Sequence, residues 1–162
     1  MNTKSPKLFL TACVLILSFT ASAQDENPFI GTWDIDKPAS NFSSFPVPAT
    51  MSRTYQSVGD GAYMYLVATV NEDGSVGGSS ATYKYDSREY PIASLTQNAS
   101  TTISYRRLNE KTVEYTIRIE GRVSQIGAKT ISADGRVLTI AIQTINAQGE
   151  INNQILAFNR RR

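Results

Sequence analysis

The chain has 162 residues, with 16 Lys and Arg against 14 Asp and Glu, eight tyrosines, one tryptophan, one cysteine and no histidine. Without histidine it cannot build a Ser-His-Asp or Cys-His nucleophile, a His-ligated zinc site or a His-ligated haem. A net charge of +2 is no footprint for a nucleic-acid partner.

Met1 to Ala23 opens with Lys4 and Lys7, continues through the apolar run Leu8 to Leu17, and ends on Ala21-Ser22-Ala23. This is the layout of a secretory signal peptide with an A-x-A cleavage site, so residues 1–23 are expected to be removed and the mature chain to begin at Gln24. The apolar run is too short to span a bilayer and has no rival elsewhere, so a membrane-spanning protein is not expected. Leu10-Thr11-Ala12-Cys13 offers an alternative, a lipobox that would acylate Cys13, but only Leu8 to Ala12 of the apolar run precede the cysteine and the run continues past it to Leu17. Cleavage after Ala23 also removes Cys13, leaving neither thiol nor disulfide. With Lys4 and Lys7 gone, the mature basic residues match the 14 acidic ones. The expectation is one domain over residues 24–162, monomeric, periplasmic or secreted.

Phe29-Ile30-Gly31-Thr32-Trp33-Asp34-Ile35 reads as a first strand carrying the only tryptophan. Inward placement of Trp33 and Ile35 turns Asp34 and Asp36 outward onto a solvated face. The Pro38-to-Pro48 stretch is too rich in Pro and Ser for a helix and is expected to be a loop or flap. Further on, Val113, Tyr115, Ile117 and Ile119 alternate with polar neighbours between Lys111 and Glu120, and Val137 to Ile145 alternates likewise. Noisier strands are expected at Arg53 to Val58, Ala62 to Val70, Ser80 to Tyr85, Thr101 to Leu108, Val123 to Ile131 and Ile151 to Phe158. Gly77-Gly78-Ser79-Ser80 reads as a flexible turn, and Arg160-Arg161-Arg162 as a solvated tail.

Short polar loops such as Gly59-Asp60-Gly61, Glu120-Gly121 and Ala133-Asp134-Gly135 separate these runs, as antiparallel hairpins require. The fold class is therefore all-β: an antiparallel up-and-down meander of about eight to ten strands. Closing into a barrel hides its edges, whereas a two-sheet sandwich would not.

Gly31-Thr32-Trp33 followed by Lys37-Pro38-Ala39-Ser40-Asn41-Phe42 resembles the Gly-x-Trp opening of the calycin superfamily, which includes lipocalins and fatty-acid-binding proteins. With Tyr83 to Pro91, Ser132 to Thr139 and Asn152 to Phe158, the mature chain resembles small exported bacterial proteins with a lipocalin-like barrel, a group whose function is unassigned. The resemblance implies that Trp33 closes one end of the barrel and that Arg160, late in the last strand, packs over it. The Arg and Tyr that hold the carboxylate in fatty-acid-binding proteins are absent here, with Leu156 and Phe158 at those places.

The tyrosines are the positive feature. Tyr83 with Tyr85, and Tyr63 with Tyr65, share faces at i and i+2. Such rings either line a pocket for an amphipathic molecule or fill a narrow barrel completely. Candidate ligand-binding residues are Tyr83, Tyr85, Tyr105 and Tyr115, with Arg107, which shares a face with Ile103 and Tyr105. No catalytic residue, metal site or cofactor is expected; Glu114 and Glu120 fall on the wet face of a strand and do not make a glycosidase pair. The expected function is non-enzymatic, the binding of a small apolar or amphipathic ligand. The alternative is a protein-interaction or protease-inhibitor-like module with a filled barrel.

Overall fold

The computed structural model describes residues 27–96 and 99–162. The expected signal segment Met1 to Ala23, with its cleavage site and Cys13, lies outside the described residues. Eleven strands make up the fold: β1 (Gly31–Asn41), β2 (Thr50–Gly59), β3 (Ala62–Val70), β4 (Val76–Tyr83), β5 (Asp86–Pro91), β6 (Ala93–Ser94), β7 (Thr101–Asn109), β8 (Thr112–Ile119), β9 (Arg122–Ile131), β10 (Val137–Ile145) and β11 (Ile151–Arg160). They form one antiparallel sheet in the order β5-β7-β8-β9-β10-β11-β1-β2-β3-β4-β6. The last strand pairs with the first, Ile35 opposite Phe158 and Trp33 opposite Arg160, so the meander curls into a nearly closed barrel. No described helix is long and apolar enough to cross a membrane.

Eleven strands replace the expected eight to ten, and the surplus lies at one seam. Between β4 and β7 the chain crosses the gap, pairing β5 to β7 and then β6 to β4. Pro91 ends β5 opposite Thr102, on an edge strand where its missing N–H breaks no ladder. Across the seam the rings of Tyr83 and Tyr105 meet at 4.1 Å between centroids.

Hairpin chemistry follows the loops. Asp60-Gly61 and Glu120-Gly121 have positive φ at both residues, at 50° and 68° and at 51° and 79°, as two-residue turns between twisted strands demand.

Three local expectations are corrected. Gly77-Gly78-Ser79-Ser80 is strand, not turn, and lies within β4. There a Cβ on Gly78 would stand 2.9 Å from the Val67 carbonyl, with Leu95 folded over the same spot. β1 continues through Pro38 to Asn41, a register shift between Asp36 and Asn41 absorbing the proline, so the loop shrinks to residues 42–49. Arg160 and Arg161 are not tail. Arg160 pairs in β11, and Arg161 ion-pairs with Asp34 while its amide binds the Thr32 carbonyl.

The inward face carries the core: Phe29, Trp33, Val113, Leu138, Ile140 and Phe158 are almost wholly buried. Their partners across each ladder share that face.

Candidate functional site

With Arg160 as its ladder partner on β11, Trp33 is fully buried, at 0% exposure. Its Nε1 donates to the Phe29 carbonyl at 2.9 Å. The Arg160 guanidinium lies 4.1 Å from the centroid of the Trp33 ring, an arrangement worth about 0.5 to 2 kcal/mol. It also donates to the carbonyls of Gly135, Ile30 and Pro28 at 2.8, 2.7 and 2.6 Å. Gly31 makes room for this plug: its φ is +131°, and a Cβ would stand 2.8 Å from Arg160 Nη1.

Above the plug the barrel waist is built of tyrosine. Tyr105 packs on Tyr83, Tyr65, Tyr85 and Tyr115, and Tyr55 packs on Tyr65. Into this cluster β9 sends Lys129, only 3% exposed. Its Nζ donates to Tyr105 Oη at 2.6 Å and lies 4.4, 4.7, 5.3 and 5.6 Å from the ring centroids of Tyr105, Tyr55, Tyr115 and Tyr65. Burial, and then the positive charge of Arg53, push the Lys129 pKa well below the ordinary amine value.

Arg53, from β2, lies 5.4 Å over the Phe158 ring with its Nε buried and unpaired. The Tyr55 hydroxyl is likewise buried and unpaired, and the charge and side chain of the neighbouring Arg53 hold its pKa back against the rise that burial causes. Burial raises the pKa of Tyr55, Tyr83, Tyr105 and Tyr115, and takes that of Tyr65 to about 12. Arg53 opposes the rise at Tyr55, Tyr65 and Tyr115.

Beyond the tyrosines, away from Trp33, the barrel opens. A cavity of about 970 Å³ extends from Tyr65 to the β3–β4, β8–β9 and β10–β11 turns. Val67, Ile92 and Ile117 supply apolar wall, while Ser79, Thr101 and Gln125 supply hydrogen-bonding groups. The cavity floor is tied to the layer beneath, because Gln125 Nε2 donates to Tyr115 Oη at 2.7 Å. Gly127 makes that possible, since a Cβ there would stand 2.6 Å from the Tyr115 ring.

Of the residues singled out from the sequence, Tyr83, Tyr85, Tyr105 and Tyr115 come together in one packed layer, and the Arg107 guanidinium lies 4.4 Å over Tyr85. None of the five lines the large open cavity. Alternation puts Arg107 on the face of Ile103 and Tyr105, with its charge expected to snorkel out at the strand end; its guanidinium instead lies over Tyr85, and two of its nitrogens are buried without a partner. Lys129 and Arg53 were missed, although their parity was readable: Lys129 alternates with Ile131, and Arg53 with Tyr55. Among the described residues no group of three or more His, Cys, Asp or Glu converges on a possible metal position.

Comparison with protein-family models finds no match, and comparison with curated proteins finds none either. Among solved structures the chain is similar to the crystal structure of Rv2717c from M. tuberculosis, with a TM-score of 0.56 at 15% identity. The match covers 83% of this chain and 94% of that one. At that identity the likeness concerns the fold.

Proposed function

We propose that this protein is an exported, non-enzymatic barrel of lipocalin-like type that holds a small apolar or amphipathic molecule in the cavity opposite Trp33. The observation that carries the reading is the cavity itself. Its volume of about 970 Å³ suits a small organic ligand, as does an apolar wall with a few convergent polar groups. Export rests on the signal-peptide pattern of Met1 to Ala23, which delivers a monomeric mature chain from Gln24 to the periplasm or the medium.

Native mass spectrometry of the protein isolated from its own envelope fraction tests this. The expected spectrum shows a mature chain starting at Gln24 with a small molecule that leaves on activation. The packed tyrosine waist favours the rival reading, an interaction module with its contact surface on the outside. A chain that arrives bare and ignores apolar probes supports that rival.

A further inference from the structure

The charges of this barrel are sorted by face. No Asp or Glu among the described residues is buried; Asp34, Glu89 and Glu114 meet Arg161, Arg118 and Arg106 on the outside. Arg53, Arg107 and Lys129 turn inward instead, with no carboxylate beside them. Among the described residues, four of the five buried side-chain atoms that lack a hydrogen-bond partner belong to this interior: Arg53 Nε, Arg107 Nε and Nη2, and Tyr55 Oη.

Burying a cation without a counter-charge is costly, because the low dielectric that strengthens a pair also penalises its absence. The tyrosine faces around Lys129 offset part of that cost. They cannot accept from Arg53 Nε, and a guanidinium does not escape by losing its proton. What the interior lacks is a group that only accepts.

We propose that the ligand of the open cavity carries an oxyanion, a carboxylate or a phosphate. This group lodges on the cavity floor against Tyr65, Ser79 and Gln125 and faces Arg53 and Lys129, while the apolar body lies along Val67, Ile92 and Ile117. The floor is thin enough for this. Tyr65 lines the cavity and its ring centroid stands 5.6 Å from Lys129 Nζ, and Arg53 is the ladder partner of Val67, which lines the same cavity. An anion so placed enters head first and gives the buried Arg53 guanidinium the counter-charge it lacks.

The inference rests on the carrier reading, and two dyes separate the two. Anilinonaphthalene sulfonate and phenylnaphthylamine share one ring frame and differ by the sulfonate. The sulfonate dye is expected to bind the mature protein about tenfold more tightly or better. That advantage should shrink in Lys129→Met and in Arg53→Gln, each checked for folding by circular dichroism, and persist when the outer cation is removed in Arg106→Gln. Displacement by octanoate or octyl phosphate but not octanol supports the oxyanion, and the better of the two identifies its kind.

Equal binding of the two dyes, an advantage that survives both inner substitutions, or displacement by octanol as effective as by octanoate overturns the oxyanion and leaves the carrier reading standing. Failure of both dyes to bind overturns the carrier reading and this inference with it.

Discussion

Two arginines, Arg160 on β11 and Arg53 on β2, flank Trp33 as its partners in the ladder, and they are treated in opposite ways. Arg160 stacks on Trp33 and gives three hydrogen bonds to main-chain carbonyls. Arg53 lies over Phe158 with a buried Nε that meets no acceptor. A satisfied guanidinium ties chain segments together, here residues 28–30, the β9–β10 turn and the last strand. An unsatisfied one stores an interaction for something that arrives later. The comparison separates two uses of one residue type: Arg160 is taken up by main-chain carbonyls and the Trp33 ring, while Arg53 keeps the unmet donor on which the proposed oxyanion site rests.

The largest expected effect comes from alkali, because the waist buries tyrosines whose pKa values are raised in the folded state. Their neutral form is the folded form, so stability is intact below the unfolded value of about 10 and is lost as pH climbs through the folded values. Each phenol contributes up to about 1.4 kcal/mol per pH unit in that window. Urea unfolding midpoints measured from pH 9 upward should fall steeply beyond about pH 10. A midpoint that stays flat to pH 11.5 would mean that the phenols are not buried together.

Removing the plug comes next. Arg160→Ala strips the charged donor from three carbonyls and uncovers the indole, and is expected to cost on the order of 3 kcal/mol in chemical denaturation. Arg160→Lys should recover only part, because a point charge cannot fork to three acceptors or stack on a ring.

Lys129→Met probes the other side of the contrast. Lys129 has a depressed folded pKa, so the unfolded chain binds a proton that the folded one does not. Wild-type stability should therefore rise with pH, by up to about 1.4 kcal/mol per unit between the folded pKa and the unfolded value of about 10.4. In Lys129→Met that rise disappears, and neutral-pH stability is unchanged or increased. A loss of several kcal/mol would show that the caged amine holds the waist together.

The smallest effect is expected outside. The Arg106–Glu114 pair on the outer face is bonded at 2.6 Å yet is well exposed, and Glu114→Gln should change stability by less than about 1 kcal/mol. An effect equal to that of Arg160→Ala would erase the distinction between bonds that close the barrel and bonds that decorate it.

Much of the fold could be read along the chain because its clean strands alternate. β10 spans the expected Val137 to Ile145, and β8 falls inside Lys111 to Glu120, since one face of each meets core and the other meets water. β5 and β6 were not legible: they are short, sit at the seam, and one ends in proline. Gly77-Gly78 misled because two glycines suit a turn as well as a crowded strand, and only the neighbouring Val67 carbonyl decides between them.

The site was harder still. A lysine or arginine in an alternating strand normally marks the wet face, so Lys129 and Arg53 carry a local signal opposite to their position. What placed them inside is the barrel's closure, which brings β2, β7, β8 and β9 around one axis, a relation no single strand contains.

The most direct test of the central claim is a residue-by-residue map of ligand contact. Nitrogen-15-labelled mature protein titrated with anilinonaphthalene sulfonate should show saturable amide shifts around Val67, Ser79, Ile117 and Gln125. The signals of Phe29, Trp33 and Leu138 should stay in place. Shifts confined to the 42–49 loop or the outer face of β9 and β10, with the interior silent, would contradict a carrier that binds above the tyrosine waist.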